Sequence, residues 1–200
     1  GAGVDLEEEP EDRSALPDAG QWVTFDVTRL AQAWVAHPQE NLGVVLKLAG
    51  SGVGECALAG AEWADDPTLR PKLELEWTAT GPIPTADAPT SPTATQPYPV
   101  ATPTPSGEGT IVPLPTPTPG PMRLTMQQGV NGYQGTADTY LDGWSQMANF
   151  GSGPVLYLRG GNIQVALIRY DLADLPAEAA VLDAKLNLWI ADSGRSTDAL

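Results

Sequence analysis

Apolar and polar residues alternate in short runs along most of this chain. Val23, Phe25 and Val27 share one face of a half-buried strand. Val44, Leu46 and Leu48 alternate with Lys47 outward, residues 55–63 make another strand, and Leu73, Leu75 and Trp77 alternate with Glu74 and Glu76. Further on, residues 124–128 and 137–141 form two more strands. Residues 155–159 and 163–170 pair as a hairpin around Gly160-Gly161-Asn162. Ala184, Leu186, Leu188 and Ile190 then alternate with Lys185, Asn187 and Trp189. One segment changes period. Val27, Leu30, Ala31 and Trp34 fall at helical spacing, Asp26 or Thr28 offers a cap, and Pro38 ends the run. Short alternating strands with turn residues about every ten positions predict an all-β fold, an antiparallel β-sandwich carrying one short helix.

The pattern stops in the middle. Thirteen of the twenty prolines lie between Gly81 and Pro121, interleaved with threonine. Proline fixes φ and lacks the N–H that a helix or sheet interior needs. This stretch therefore predicts an extended Pro/Thr-rich linker between residues 1–80 and 122–200. Each flank is small enough to be marginal on its own. A stiff polyproline-II linker of this length would span about 130 Å at ~3.1 Å per residue. A flexible one would average roughly 35 Å.

Composition narrows the chemistry. The formal charge is −15, with 10 Lys and Arg. That argues against nucleic acid and anionic membranes as partners. The acidic run 5–12 reads as a solvated loop, since a run alone does not converge on a cation. The single cysteine, Cys56, lies in an apolar alternating stretch and reads as a buried small hydrophobe. His37, the only histidine, lacks a second ligand at zinc spacing. No apolar run reaches membrane-spanning length. With one histidine and no carboxylate pair marked by context, the expectation is a protein that is not an enzyme.

Two blocks of motifs carry a resemblance. The second flank has Ala137-Asp138-Thr139-Tyr140, Asn149-Phe150-Gly151, Arg169-Tyr170-Asp171-Leu172, Leu175-Pro176 and Ala184-Lys185-Leu186-Asn187-Leu188. The first has Trp22, Phe25-Asp26-Val27-Thr28, Leu30, Trp34, Asn41-Leu42-Gly43-Val44 and Asp66-Pro67 leading to Arg70-Pro71-Lys72-Leu73. These resemble the front and back halves of the DNRLRE domain family, which is also treated as a carbohydrate-binding module family and is related to the repeats of archaeal disaggregatase. Here the back half comes first, and the family's tryptophan-rich central segment is absent. The resemblance implies a jelly-roll-like sandwich in large, repetitive surface proteins, with sugar binding in some members. The reversed order has two readings. Residues 1–80 end one domain and 122–200 begin the next in a tandem array, or the flanks complete one permuted domain. Linker length favours the array.

The resulting expectation is a structural repeat of an extracellular filament or cell-surface fibre. Copies of the chain would join head-to-tail through the β-domains and an ordered linker. The alternative is a secreted carbohydrate-binding module attached to an enzyme, with a polysaccharide partner. Thr90, Ser91, Thr93, Thr95, Thr102, Thr104, Thr116 and Thr118, beside prolines, are O-glycosylation candidates. Trp63, Trp144, Tyr157 and Trp189 are candidates for stacking on sugar rings, whereas Trp22, Trp34 and Trp77 read as core. Asp138, Asp142 and Asn149 are candidate ligands for a structural calcium ion, set against simple turn capping. No cofactor is expected otherwise.

Overall fold

A computed structural model describes residues 9–49, 54–79 and 120–194. The described residues are mostly β: nine antiparallel strands in one curled sheet, with one α-helix. The first flank gives β1 (Trp22–Asp26), β2 (Val44–Leu46), β3 (Glu55–Ala59) and β4 (Lys72–Ala79), with helix α1 (Thr28–Ala36) between β1 and β2. The second gives β5 (Met122–Gln127), β6 (Thr136–Asp142), β7 (Val155–Arg159), β8 (Gln164–Tyr170) and β9 (Ala179–Asp192).

The two flanks are interleaved. Of the eight strand pairings among the described residues, six join one flank to the other: β1–β9, β2–β8, β3–β7, β3–β9, β4–β5 and β4–β9. Only β6–β8 and the short β7–β8 hairpin lie within one flank, the second. Among the described residues, the four strands of the first flank do not pair with each other. The stretches 1–80 and 122–200, set apart by composition, thus both build this one sheet. The linker connects neighbours in it, since Trp77 of β4 lies opposite Met122 of β5. The linker's own residues 81–119 lie outside the described ones, and so do all the O-glycosylation candidates.

β9 organises the sheet. One stretch of it pairs with β4 from Asn187 to Ala179, and Lys185 to Trp189 pair with β1. Ile190 and Asp192 pair with β3. Its inward positions change parity on the way. Ala179 and Val181 are buried, and then Ala184, Leu186, Leu188 and Ile190. The change is a bulge: Glu76 faces Asp183 whereas the next residue, Trp77, faces Val181. β1 ends just short of this bulge, and the helix takes over its edge. The Val181 N–H donates to Gln32 Oε1 at 2.9 Å and the Ala184 N–H to Thr28 Oγ1 at 2.9 Å. The Val27 N–H donates to the Ala184 carbonyl at 2.9 Å. Backbone groups left by the missing strand are thereby paired.

Local chemistry sets the helix. Asp26 Oδ1 accepts from the Thr28 N–H and hydroxyl, turning the chain out of β1. Lys185 Nζ donates to Asp26 Oδ2 at 2.6 Å. These bonds to Lys185 and Thr28 hold the Asp26 carboxyl down at about 2. Ala31, Trp34 and Val35 face the core.

The core draws on both flanks: Leu58 and Leu73 from the first, Leu156, Ile168, Leu186 and Ile190 from the second, each at most 2 % exposed. Cys56 is buried among them, and burial, with Asp192 adding, pushes its thiol up to about 11. Trp34 is core, and Trp77 packs against it half-buried. Trp22 departs from expectation. It lies on the outer face, opposite Trp189 in the ladder, with the rings edge-on at 5.5 Å. Lys72 Nζ sits 5.1 Å from its ring centre. An aromatic and a cation cover it in place of the core.

Asn41 and Gly43 seat β2 on the other flank. Asn41 Nδ2 donates to the Tyr170 carbonyl at 2.8 Å, and its Oδ1 accepts from the Gly43 N–H. Gly43 has φ +84, and a Cβ there would lie 2.4 Å from the Ile168 carbonyl oxygen. Only glycine fits. Gly43→Ala should therefore cost about 2 kcal/mol or more, seen as a lower urea midpoint. An unchanged midpoint would refute this docking of β2 on β8.

Candidate functional site

Two places gather functional side chains, one exposed and one buried. The exposed one begins where β6 ends. Asp142 Oδ1 accepts the Trp144 N–H at 2.8 Å, and Oδ2 accepts Gln164 Nε2 at 3.2 Å. The Gly143 N–H donates to the Ile163 carbonyl at 2.8 Å. This turn presents Trp144, 65 % exposed, beside β7. The Arg159 guanidinium lies 4.7 Å from the Trp144 ring centre and pairs with Glu55 of β3. Two residues along β7, Tyr157 is 42 % exposed and meets Tyr140 edge-on at 5.4 Å. Tyr140 stacks on Phe150 at 4.1 Å, with the planes 19° apart. Leu141 and Met147 are also exposed.

The result is an aromatic surface of Trp144, Tyr157, Tyr140 and Phe150 with a cation and two carboxylates, Glu55 and Asp142, at its margins. Tyr140, Phe150 and Tyr157 hold one another ring on ring, and Arg159 lies over Trp144. Of the four stacking candidates, the structure brings together Trp144 and Tyr157. Trp189 is elsewhere, against Trp22. Trp63 follows β3, half-buried, with its Nε1 enclosed and its carbonyl accepting Arg70 Nε at 2.8 Å. Tyr140, Phe150 and Arg159 were not among the stacking candidates, although Tyr140 and Phe150 lie in the motifs that carry the resemblance. The Asp142-Gly143-Trp144 turn beside a strand bearing Tyr157 and Arg159 is the signal that could have shown them.

Two of the three calcium candidates lie apart. Asp138 and Asp142 are four residues apart on one strand, about 13 Å. Asp142 and Asn149 both cap turns, Asn149 Oδ1 accepting the Gly151 N–H at 2.9 Å. Among the described residues, no three His, Cys, Asp or Glu side chains form a metal-holding group.

Asp138 belongs to the buried place. It faces inward from β6, with Oδ2 accepting the Ala61 N–H at 2.7 Å, so it ties the second flank to the turn after β3. Its Oδ1 is buried, as are Thr136 Oγ1 and the Tyr170 hydroxyl. These three project from the paired strands β6 and β8. Burial pushes the Asp138 carboxyl up to about 7, and the nearby Glu62 adds to this against the pull of the Ala61 N–H. Burial raises the Tyr170 hydroxyl still further above its usual range, with Tyr133 and Asp138 contributing.

No protein-family description, curated protein or solved structure matches the chain. Among the described residues, no helix is long and apolar enough to cross a membrane.

The raised Asp138 value has a consequence for stability. Unfolded, this carboxyl titrates near 3.8, and folded near 7. Between those values the folded state holds a proton that the unfolded state lacks. Its contribution is therefore most favourable below pH 4 and is lost as pH rises through 7. Urea midpoints should fall from pH 5.5 to 8.5, with a slope of up to about 1.4 kcal/mol per pH unit below 7. Asp138→Asn keeps an acceptor for Ala61 and should flatten this profile. An equally steep profile in the variant would rule Asp138 out as its source.

Proposed function

We propose that this chain is a structural repeat of an extracellular filament or cell-surface fibre and has no catalytic role. The observation that carries the reading is the interleaving of the flanks: among the described residues, six of eight strand pairings cross from residues 22–79 to residues 122–192. A unit that is complete only when two separate stretches meet suits assembly by joining. The curled sheet is then a jelly-roll-like sandwich of the kind the DNRLRE resemblance implies. The Pro/Thr segment is then the connector, with O-glycans on residues such as Thr104 and Thr116. Head-to-tail contacts that do not close generate fibres. Negative-stain images of the concentrated, purified chain should show polymers, with a matching high-mass species in light scattering. Isolated monomers at every concentration would sink the reading.

The exposed aromatic surface favours a second reading, carbohydrate binding. Trp144 and Tyr157 offer ring faces for the apolar side of a pyranose, and Arg159, Glu55 and Asp142 offer bonds to hydroxyls. On this reading the chain is a secreted module retained by an insoluble polysaccharide. Trp144→Ala should lower retention on cellulose, chitin or xylan at least tenfold, whereas Trp189→Ala should leave it unchanged. Equal retention of both variants would count against this surface.

A further inference from the structure

We propose that copies of this chain exchange flanks, with β1–β4 of one copy completing the β5–β9 sheet of another. The inference rests on the fibre reading and gives it an interface.

Three observations carry it. First, the first flank has no strand pairing of its own among the described residues. Its ladders are all made to β5, β7, β8 and β9. Every other copy presents those same edges, so a second copy is a chemically identical partner. Second, the contacts across the join are those of an interior. They include Leu73 facing Leu186, Leu58 facing Leu156, the Asp138 bond to Ala61 and the Asn41 bond to Tyr170. An exchanged join would bury the same groups, with no new surface needed. Third, the flanks are connected only through residues 80–119, which join adjacent strands, and no disulfide is possible with one cysteine. Paired strands sit about 5 Å apart, a distance that 40 residues far exceed. Closing within one chain is thus allowed but not imposed by reach.

The exchanged and closed forms therefore share their ladders and differ mainly in the entropy of connection. For a flexible connector the effective concentration of the tethered flank is of order 1 mM. Below that the closed monomer dominates, and near or above it exchange competes. Where the first flank of each copy joins the second flank of the next, the chain of contacts stays open and lengthens. Packing on a surface or along a fibre supplies such concentrations.

Disulfide trapping tests this in the full-length chain. Cys56→Ala removes the native thiol, and Glu74→Cys with Thr125→Cys places cysteines opposite each other in β4 and β5. The variant is unfolded in urea, refolded from about 1 µM to about 1 mM, oxidised, and run on a non-reducing denaturing gel. We expect cross-linked monomer at the low end and a ladder of covalent multimers at the high end. Cross-linked monomer alone at every concentration overturns the exchange. If polymers appear in micrographs while the gel shows only monomer, exchange fails and the fibre reading stands. A gel that stops at dimers, with no polymers in micrographs, supports exchange and removes the fibre. Should the first pair impair folding, Thr24→Cys with Asn187→Cys, opposite in β1 and β9, gives the same readout.

Discussion

The ladders on the two edges of β9 are what the rest of the molecule depends on. β9 is the longest strand among the described residues, and β1, β3 and β4, which pair with it, all come from residues a hundred or more positions earlier. Contacts so remote in sequence cost closure entropy before they return hydrophobic burial. They repay it because the inward side chains of β9 are buried almost without exception, from Ala184 at 0 % to Leu186 at 2 % and Ile190 at 0 % exposed. Among the described residues, without β9 β1 has no strand partner and β4 keeps only β5.

The bulge in β9 shows how this constraint reaches the helix. One extra residue reverses the inward parity, and β1 stops there. α1 is placed so that Thr28 and Gln32 answer the freed N–H groups, while Ala31 and Trp34 cover the apolar side. The helix is thus an edge cap as much as a packing element, which explains a helix of nine residues in an otherwise all-β chain.

Much of the strand content was legible. Residues 155–159 match β7 in full, and the limits of β5, β6 and β8 fall within two residues of the pattern, because half-buried strands write their faces into alternation. The start of β9 was not, since its bulge breaks the period between Val181 and Ala184. Alternation also names a face and never a neighbour, so the pairing of β2 with β8 or β3 with β7 had no signature. Trp22 misled by bulk, as a large ring on an outer face found cover in Trp189 and Lys72. At the exposed site Trp144 and Tyr157 were nameable from side-chain type, but the turn after β6 that lays Trp144 against Arg159, two residues along β7 from Tyr157, was not. Asp138 looked like a loop ligand because its inward face is set by Ile168 and Tyr170, a strand away.

Because Ala79 and Gly120 emerge from neighbouring strands, the size of what lies between them is nearly invisible to the fold. Doubling such a segment costs only about 0.6 kcal/mol in closure entropy. Insertions, deletions and repeat expansion there are close to neutral for stability, whereas one residue added within β4 would move its charged face onto the core. In the proposed assembly, the distance between successive copies would therefore drift freely, while the sheet proposed to join them could not.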